Sequence, residues 1–211
     1  DIRRMLIPIG PVAVYGASNF PLAFSTAGGD TASALASGCP VVVKAHSSHP
    51  GTNALVSSAI IKAARDTGMP EGVFSSLYLS HEASVKLVQH RNIKAVGFTG
   101  SQQVGMTLFK AAVNRIDPIP VYAEMSSINP IVLMKNALLK QKSTIAKGLT
   151  GSINLGVGQF CTNPGLVLVI DNDASRNFLE EFTVEFKKSL PGTMLNKNTL
   201  GKDRDIFLKE V

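Results

Sequence analysis

Val12-Ala13-Val14-Tyr15 reads as a buried strand, and the segments that follow keep returning to the same pattern. Leu22 to Ser37, rich in Ala and other small residues, reads as a helix closed by Gly38. Val41-Val42-Val43-Lys44 is a second strand. Gly51 to Thr67 is the next helix, with Pro50 near its start and Gly68 just past its end. Val73 to Leu79 is a third strand. Ser80 is placed to cap a helix from His81 to His90, and Lys94 to Thr99 is a fourth strand. Ser101 is placed to cap a helix running to about Arg115, and Pro120 to Glu124 is a fifth strand. Near-continuous apolar strands separated by helices predict a parallel sheet covered on both faces. Such a Rossmann-like, doubly wound α/β unit takes its ligands beyond the carboxyl ends of the strands. Asn19, Lys44, Gly100-Ser101 and Glu124 all fall at or just after predicted strand ends.

Beyond Asn129-Pro130 the pattern changes. Ile131 to Met134 reads as a strand and Leu138 to Leu155 as a helix. A Gly/Pro/Asn-rich loop follows, then a strand Leu166 to Ile170 and a helix Ala174 to Leu190 capped by Asp173. This predicts a second α/β unit, with a boundary near residue 125. The stretch Asp205-Ile206-Phe207-Leu208-Lys209-Glu210-Val211 ends in mid-pattern and the start is equally abrupt, so a segment of a longer protein is expected.

Composition narrows the function classes. A chain of 211 residues with 45% hydrophobic content can bury a substantial core and does not read as disordered. No apolar run approaches the roughly 18 residues needed to span a bilayer, and the N-terminal residues lack a signal-peptide pattern. A soluble cytoplasmic protein with no membrane partner is the expectation. Net charge is +6, but lysines and arginines are scattered and aromatic residues make up only 6%, which argues against nucleic acid. An anionic small molecule fits the same mild positive balance. Two distant cysteines and four histidines show no zinc spacing, so no metal is expected.

The chemistry-bearing stretch is Gly158-Gln159-Phe160-Cys161-Thr162-Asn163-Pro164-Gly165. A structural cysteine normally sits within a periodic apolar pattern, as Cys39 does at a helix-to-strand turn. Cys161 instead lies where a loop can present a thiol. Asn19 and Glu124 are polar residues in apolar surroundings. A thiol, a carboxylate and an amide are a nucleophile, a base and an oxyanion donor for covalent chemistry at a carbonyl.

The order of landmarks resembles the aldehyde dehydrogenase superfamily. The matching residues are Ser18-Asn19-Phe20-Pro21, Val43-Lys44, Gly97-Phe98-Thr99-Gly100-Ser101 with Gly105, Ala123-Glu124, and Gly158-Gln159-Phe160-Cys161. Val14 to Pro21, Val43-Lys44-Ala45-His46 and Glu124-Met125-Ser126-Ser127-Ile128-Asn129-Pro130 look like the branch that oxidises α-ketoglutarate semialdehyde (2,5-dioxopentanoate). The resemblance implies residues 1–125 as a dinucleotide-binding domain incomplete at its N-terminus. It implies residues 126–211 as the start of a catalytic domain, incomplete at its C-terminus. Family members are considerably longer, and their oligomerisation arm and a later ribose-holding element have no counterpart here. The full-length protein is therefore expected to be a homodimer or homotetramer, and the activity of this segment by itself is in question.

By the same resemblance Cys161 is the nucleophile, Glu124 the general base and Asn19 an oxyanion donor beside the Cys161 backbone N–H. Glu124, at the end of a buried strand, is expected to be desolvated, with its pKa raised. Lys44, Ser47, Gly100, Ser101, Gly105 and Met125 are the implied cofactor-binding residues, with the N-terminus of the Ser101-capped helix toward the pyrophosphate. Many family members carry a glutamate where Ser47 stands. A carboxylate there repels a 2′-phosphate, so serine favours NADP, with NAD also accepted. Ser126-Ser127 replaces a common Gly-Gly, and Phe160 replaces an often smaller residue. The expected substrate is a small anionic aldehyde, oxidised to its acid. Two other readings are an acylating or acyl-phosphate reductase of the same fold, which Glu124 argues against, and a non-catalytic dinucleotide-binding fragment.

Overall fold

The computed structural model describes residues 1–197; the terminal stretch Asp205–Val211 lies outside them. The chain divides into two compact units, Asp1–Ser126 and Ser127–Val211.

In the first unit, strands β1 (Val12–Tyr15), β2 (Val41–Lys44), β3 (Phe74–Leu77), β4 (Ala95–Gly100) and β5 (Val121–Met125) form one parallel sheet in the order β3-β2-β1-β4-β5. The chain runs outward from β1 to β3, then crosses back over β1 to begin β4. That reversal makes the gap beyond Tyr15 and Phe98, paired in register, the switch point of the sheet. Helices α1 (Gly29–Ala36), α2 (Pro50–Asp66), α3 (His81–Gln89) and α4 (Gln102–Val113) link the strands.

Strand alternation feeds two cores. Val12, Val14, Val41 and Val43 pack with Ala34, Cys39 and Phe74 on one face. Ala13, Tyr15, Val96 and Phe98 pack with Val88, Leu108, Ala111 and Ala112 on the other. β1 is buried along its whole length, as a strand covered on both faces must be. The Tyr15 hydroxyl donates to Ser84 O at 2.7 Å, and burial pushes its pKa up.

The expected helix from Leu22 to Ser37 is shortened. Residues 21–28 form turns, and the helix begins at Gly29. Ala17 N–H donates to Phe24 O at 2.7 Å, Phe24 N–H to Phe20 O at 3.2 Å and Gly28 N–H to Ser25 O at 2.9 Å, which commits this backbone to a doubled-back loop. Ser80 and Ser101 cap α3 and α4 through their hydroxyls, which accept from Ala83 N–H and Val104 N–H.

In the second unit, β6 (Pro130–Leu133) and β7 (Leu166–Val169) pair in parallel. Helices α5 (Lys135–Asn154) and α6 (Asp173–Phe186) cover one face of this ribbon, around buried Leu138, Ala146, Leu149, Ala174 and Phe178. Val132, Leu166 and Leu168 on the other face are exposed. The cap of α6 is Asn172 rather than Asp173. Its side chain accepts from Ala174 and Ser175 N–H, while the Ser175 hydroxyl accepts from Asn172 N–H in a reciprocal box.

Candidate active site

The parallel register aligns the carboxyl ends of β1, β2, β4 and β5, and this edge carries candidate site residues of the first unit. Lys44 is the last residue of β2, Gly100 the last of β4 and Glu124 the penultimate residue of β5. Asn19, half-buried, sits on the loop leaving β1. Gly16 starts that loop at a close approach. A Cβ there would stand 2.4 Å from Ser25 Cα and 2.9 Å from Phe24 O. Phe20 and Phe24 meet edge to face at 5.3 Å, bracing the segment around Asn19.

Lys44 is half-buried, and burial lowers its pKa. Beyond it, the rings of His46 and His49 stack at 5.3 Å. His46 Nδ1 accepts from Ser48 N–H at 3.1 Å, which leaves the proton of the neutral ring on Nε2. Burial, then Lys44, then His49 lower the His46 pKa to about 4. His49 Nε2 lies 3.2 Å from Ala17 O, while its Nδ1 is buried with no hydrogen-bond partner among the described residues. Ser47 is exposed. Buried Asn53 in α2 holds this corner together. It accepts from Thr26 Oγ1 at 2.6 Å and donates to Ser76 Oγ at 3.0 Å and Tyr78 OH at 3.2 Å. It thereby joins the loop from β1, the start of α2 and the end of β3.

On the other side of the switch point, Ser101 starts α4 and Gly105 lies one turn on, buried. A Cβ at Gly105 would stand 2.3 Å from Met125 Sδ and 2.9 Å from Phe98 Cε1. The helix therefore lies close against the ends of β4 and β5. Ser126 N–H donates to Gly100 O at 3.2 Å, extending that approach by one bond.

Glu124 departs from expectation. It is exposed, because β5 is an edge strand whose residues alternate between half-buried and exposed. Desolvation acts instead on Asp30, in the first turn of α1. Burial and then the charge of Glu124 raise its pKa. Gly97 leaves room for this carboxylate; a Cβ there would lie 3.1 Å from Asp30 Cγ. In the sequence Asp30 reads as an ordinary helix-start acid.

Cys161 belongs to the second unit. It is not part of a disulfide and is partly exposed, whereas Cys39 is buried. It follows a short 3₁₀ turn, Leu155–Gly158, in which Gly156, Val157 and Gly158 all have positive φ (60°, 59° and 70°). For a β-branched residue such as Val157 that conformation is strained. The Phe160 ring packs against Gly156, whose Cβ would stand 2.7 Å from it. The Cys161 carbonyl accepts from Asn129 Nδ2 at 2.6 Å and from Ser127 Oγ. These anchors are also absent from any sequence pattern, since they join residues 32 and 34 positions apart.

Among the described residues no cluster of three or more His, Cys, Asp or Glu is placed to hold a metal ion, and no helix is long and apolar enough to cross a membrane.

Comparison with known proteins fixes the lineage. Residues 2–201 match the aldehyde dehydrogenase family. The chain is 55% identical over 198 residues to alpha-ketoglutaric semialdehyde dehydrogenase 2 of Azospirillum brasilense, covering 93% of this chain and 38% of that protein. It therefore spans well under half the length of that curated relative. Among solved structures it resembles a NAD-dependent benzaldehyde dehydrogenase of Corynebacterium glutamicum, with TM-score 0.76 at 26% identity over 94% of this chain and 44% of that one. It also resembles a glyceraldehyde-3-phosphate dehydrogenase of Methanocaldococcus jannaschii complexed with NADP, with TM-score 0.68 at 26% identity over 86% of this chain and 38% of that one. The five-stranded parallel sheet, the order of its strand-end residues and this match together establish that the chain belongs to the aldehyde dehydrogenase family.

Proposed function

We propose that this chain is part of an enzyme that oxidises a small anionic aldehyde, 2,5-dioxopentanoate, to 2-oxoglutarate with NADP. One observation carries the reading: in a chain of this family, Asn19, Lys44, Gly100 and Glu124 all lie on the carboxyl edge of one parallel sheet. The first unit is the dinucleotide-binding part and the second contributes the nucleophile.

The residues at the edge suit a phosphorylated dinucleotide. Half-buried Lys44 has lost hydration that an anion can replace, and exposed Ser47 adds no opposing carboxylate. The N-terminus of α4 suits an anion, and Gly105 keeps the helix close to β5. NADP, when bound, supplies the hydride acceptor.

The chain's own residues then do the rest. Cys161 Sγ, as thiolate, bonds to the aldehyde carbon to give a thiohemiacetal, and Asn19 with the Cys161 N–H donates to the oxyanion. Loss of hydride from that carbon leaves a thioester on Cys161. Glu124, exposed and so open to solvent, takes a proton from water, whose oxygen attacks the thioester carbonyl. The carbon–sulfur bond breaks, releasing the acid and restoring the thiolate. Glu124 is also what favours hydrolysis over acyl transfer to coenzyme A or phosphate.

The test is turnover of the full-length protein on 2,5-dioxopentanoate with each cofactor, with the product identified by mass spectrometry. Formation of 2-oxoglutarate, lost in Cys161→Ala, is the expected result. A protein that reduces acyl phosphates or acyl-CoA but oxidises no aldehyde would overturn the reading.

A further inference from the structure

The second unit binds its cysteine loop in an unusual way. Gly165 N–H donates to Ile128 O at 2.7 Å, one step before the β6–β7 ladder begins at Pro130 and Leu166. The backbones approach closely there, since a Cβ at Gly165 would stand 2.8 Å from Ile128 O. Upstream of that bond, side chains take over from the ladder. Asn129 Nδ2 donates to Cys161 O at 2.6 Å and to Asn163 O at 2.9 Å, and Ser127 Oγ donates to Cys161 O. Asn163 passes the restraint on, donating to Gly158 O at 2.9 Å and Ile153 O at 3.1 Å. The strap itself holds an uncommon conformation. Asn129 has φ 51°, a left-handed geometry that asparagine tolerates better than most residues.

We propose that Ser127 and Asn129 are positioning residues that clamp the Cys161 carbonyl and so set the direction of the Cys161 thiol and N–H. The proposal rests on the reading of Cys161 as nucleophile and adds the residues that aim it. A carbonyl oxygen has two lone pairs, and two side-chain donors match that capacity. Fixing the peptide plane after Cys161 fixes its ψ, which restricts where Cβ and sulfur point. The Ser127 hydroxyl is central, because a glycine at that position has no donor to offer. Each bond by itself is too weak to hold the fold but strong enough to bias a loop. Positional errors of about 1 Å at a reacting group cost up to ~10² in rate.

The test compares full-length wild type, Ser127→Ala, Asn129→Ala and Ser127→Thr. Two quantities are read: kcat for aldehyde oxidation, and the pH profile of Cys161 alkylation by iodoacetamide, followed by peptide mass spectrometry. The expected result is a fall in kcat of roughly tenfold in either alanine variant. The alkylation profile should shift with it, and the hydroxyl kept in Ser127→Thr should restore both. Should Ser127→Ala fail to fold, Ser127→Gly removes the same hydroxyl without demanding a particular backbone conformation. Wild-type kcat and an unmoved alkylation profile in the folded variants would overturn the proposal, whatever happens to their melting temperatures. Cys161→Ser, run in parallel, separates the underlying reading. Wild-type turnover in that variant would dismiss the nucleophile itself, an outcome distinct from failure of the strap.

Discussion

His46 and His49 stack at 5.3 Å with their planes 24° apart, beside the half-buried Lys44 ammonium. Burial, and then the positive charges of Lys44 and His49, disfavour a proton on His46, which stays neutral until about pH 4 against an ordinary 6.5. The unfolded chain binds a proton across that interval and the folded one does not. Stability is therefore full above pH 6.5 and falls as pH drops toward 4. After allowance for partial solvent access the loss is on the order of 2 kcal/mol. Melting temperatures measured from pH 7 to pH 4.5 should decline less steeply in His46→Gln than in wild type. Parallel curves would show that the ring is not held neutral by its surroundings.

Gly16 is the tightest point in the loop that carries Asn19. Its missing side chain faces backbone, at 2.4 Å from Ser25 Cα, so no rotamer change can make room. Gly16→Ala should destabilise the first unit by about 1–3 kcal/mol, or more if the loop cannot shift. In a chain of this size each kcal/mol lowers the melting point by roughly 2–4 °C. An unchanged melting point would mean that the loop is free to move away from β1.

The same loop marks where sequence reading ends. The strands were legible because burial on both faces leaves continuous apolar runs, as in Val12–Tyr15 and Ala95–Phe98. The Ser80 and Ser101 caps were legible because their partners lie three residues away. Residues 22–28 open with Leu and Ala, yet Ser25, Thr26 and Gly28 are weak helix formers and the Ala17–Phe24 hydrogen bond turns the chain back. The exposure of Glu124 depends on β5 lying at the sheet edge, a fact of strand order that no local window contains. Asn19, Lys44 and Glu124 could be located because strand ends could be located, and the roles proposed for them rest on residue chemistry together with family resemblance. The Ser127 and Asn129 anchors and the Asp30–Gly97 contact join distant residues and leave no periodic trace.

Ser47 tests the cofactor reading. It is exposed three residues after Lys44, and on the proposed reading a carboxylate introduced there would face a 2′-phosphate. One pair of like charges at about 4 Å costs from ~1 kcal/mol in bulk water to ~4 kcal/mol at an effective dielectric near 20. Ser47→Glu in the full-length protein should therefore raise the Kd for NADP about fivefold or more, with NAD binding unchanged or improved. Equal effects on the two cofactors would remove the 2′-phosphate from this corner.

Glu124 offers the sharpest separation of steps. If it activates the hydrolytic water, Glu124→Gln keeps the nucleophile and the hydride-transfer step but leaves the thioester without its base. General bases of this kind contribute roughly 10²–10⁴-fold. Rapid mixing of the variant with aldehyde and NADP should give a burst of NADPH close to one equivalent per site. A steady state slowed at least about 10²-fold should follow. Intact-protein mass spectrometry should find the acyl group on Cys161. Loss of the burst together with the steady state would place Glu124 at thiol activation instead. Unchanged turnover would remove it from the chemistry altogether.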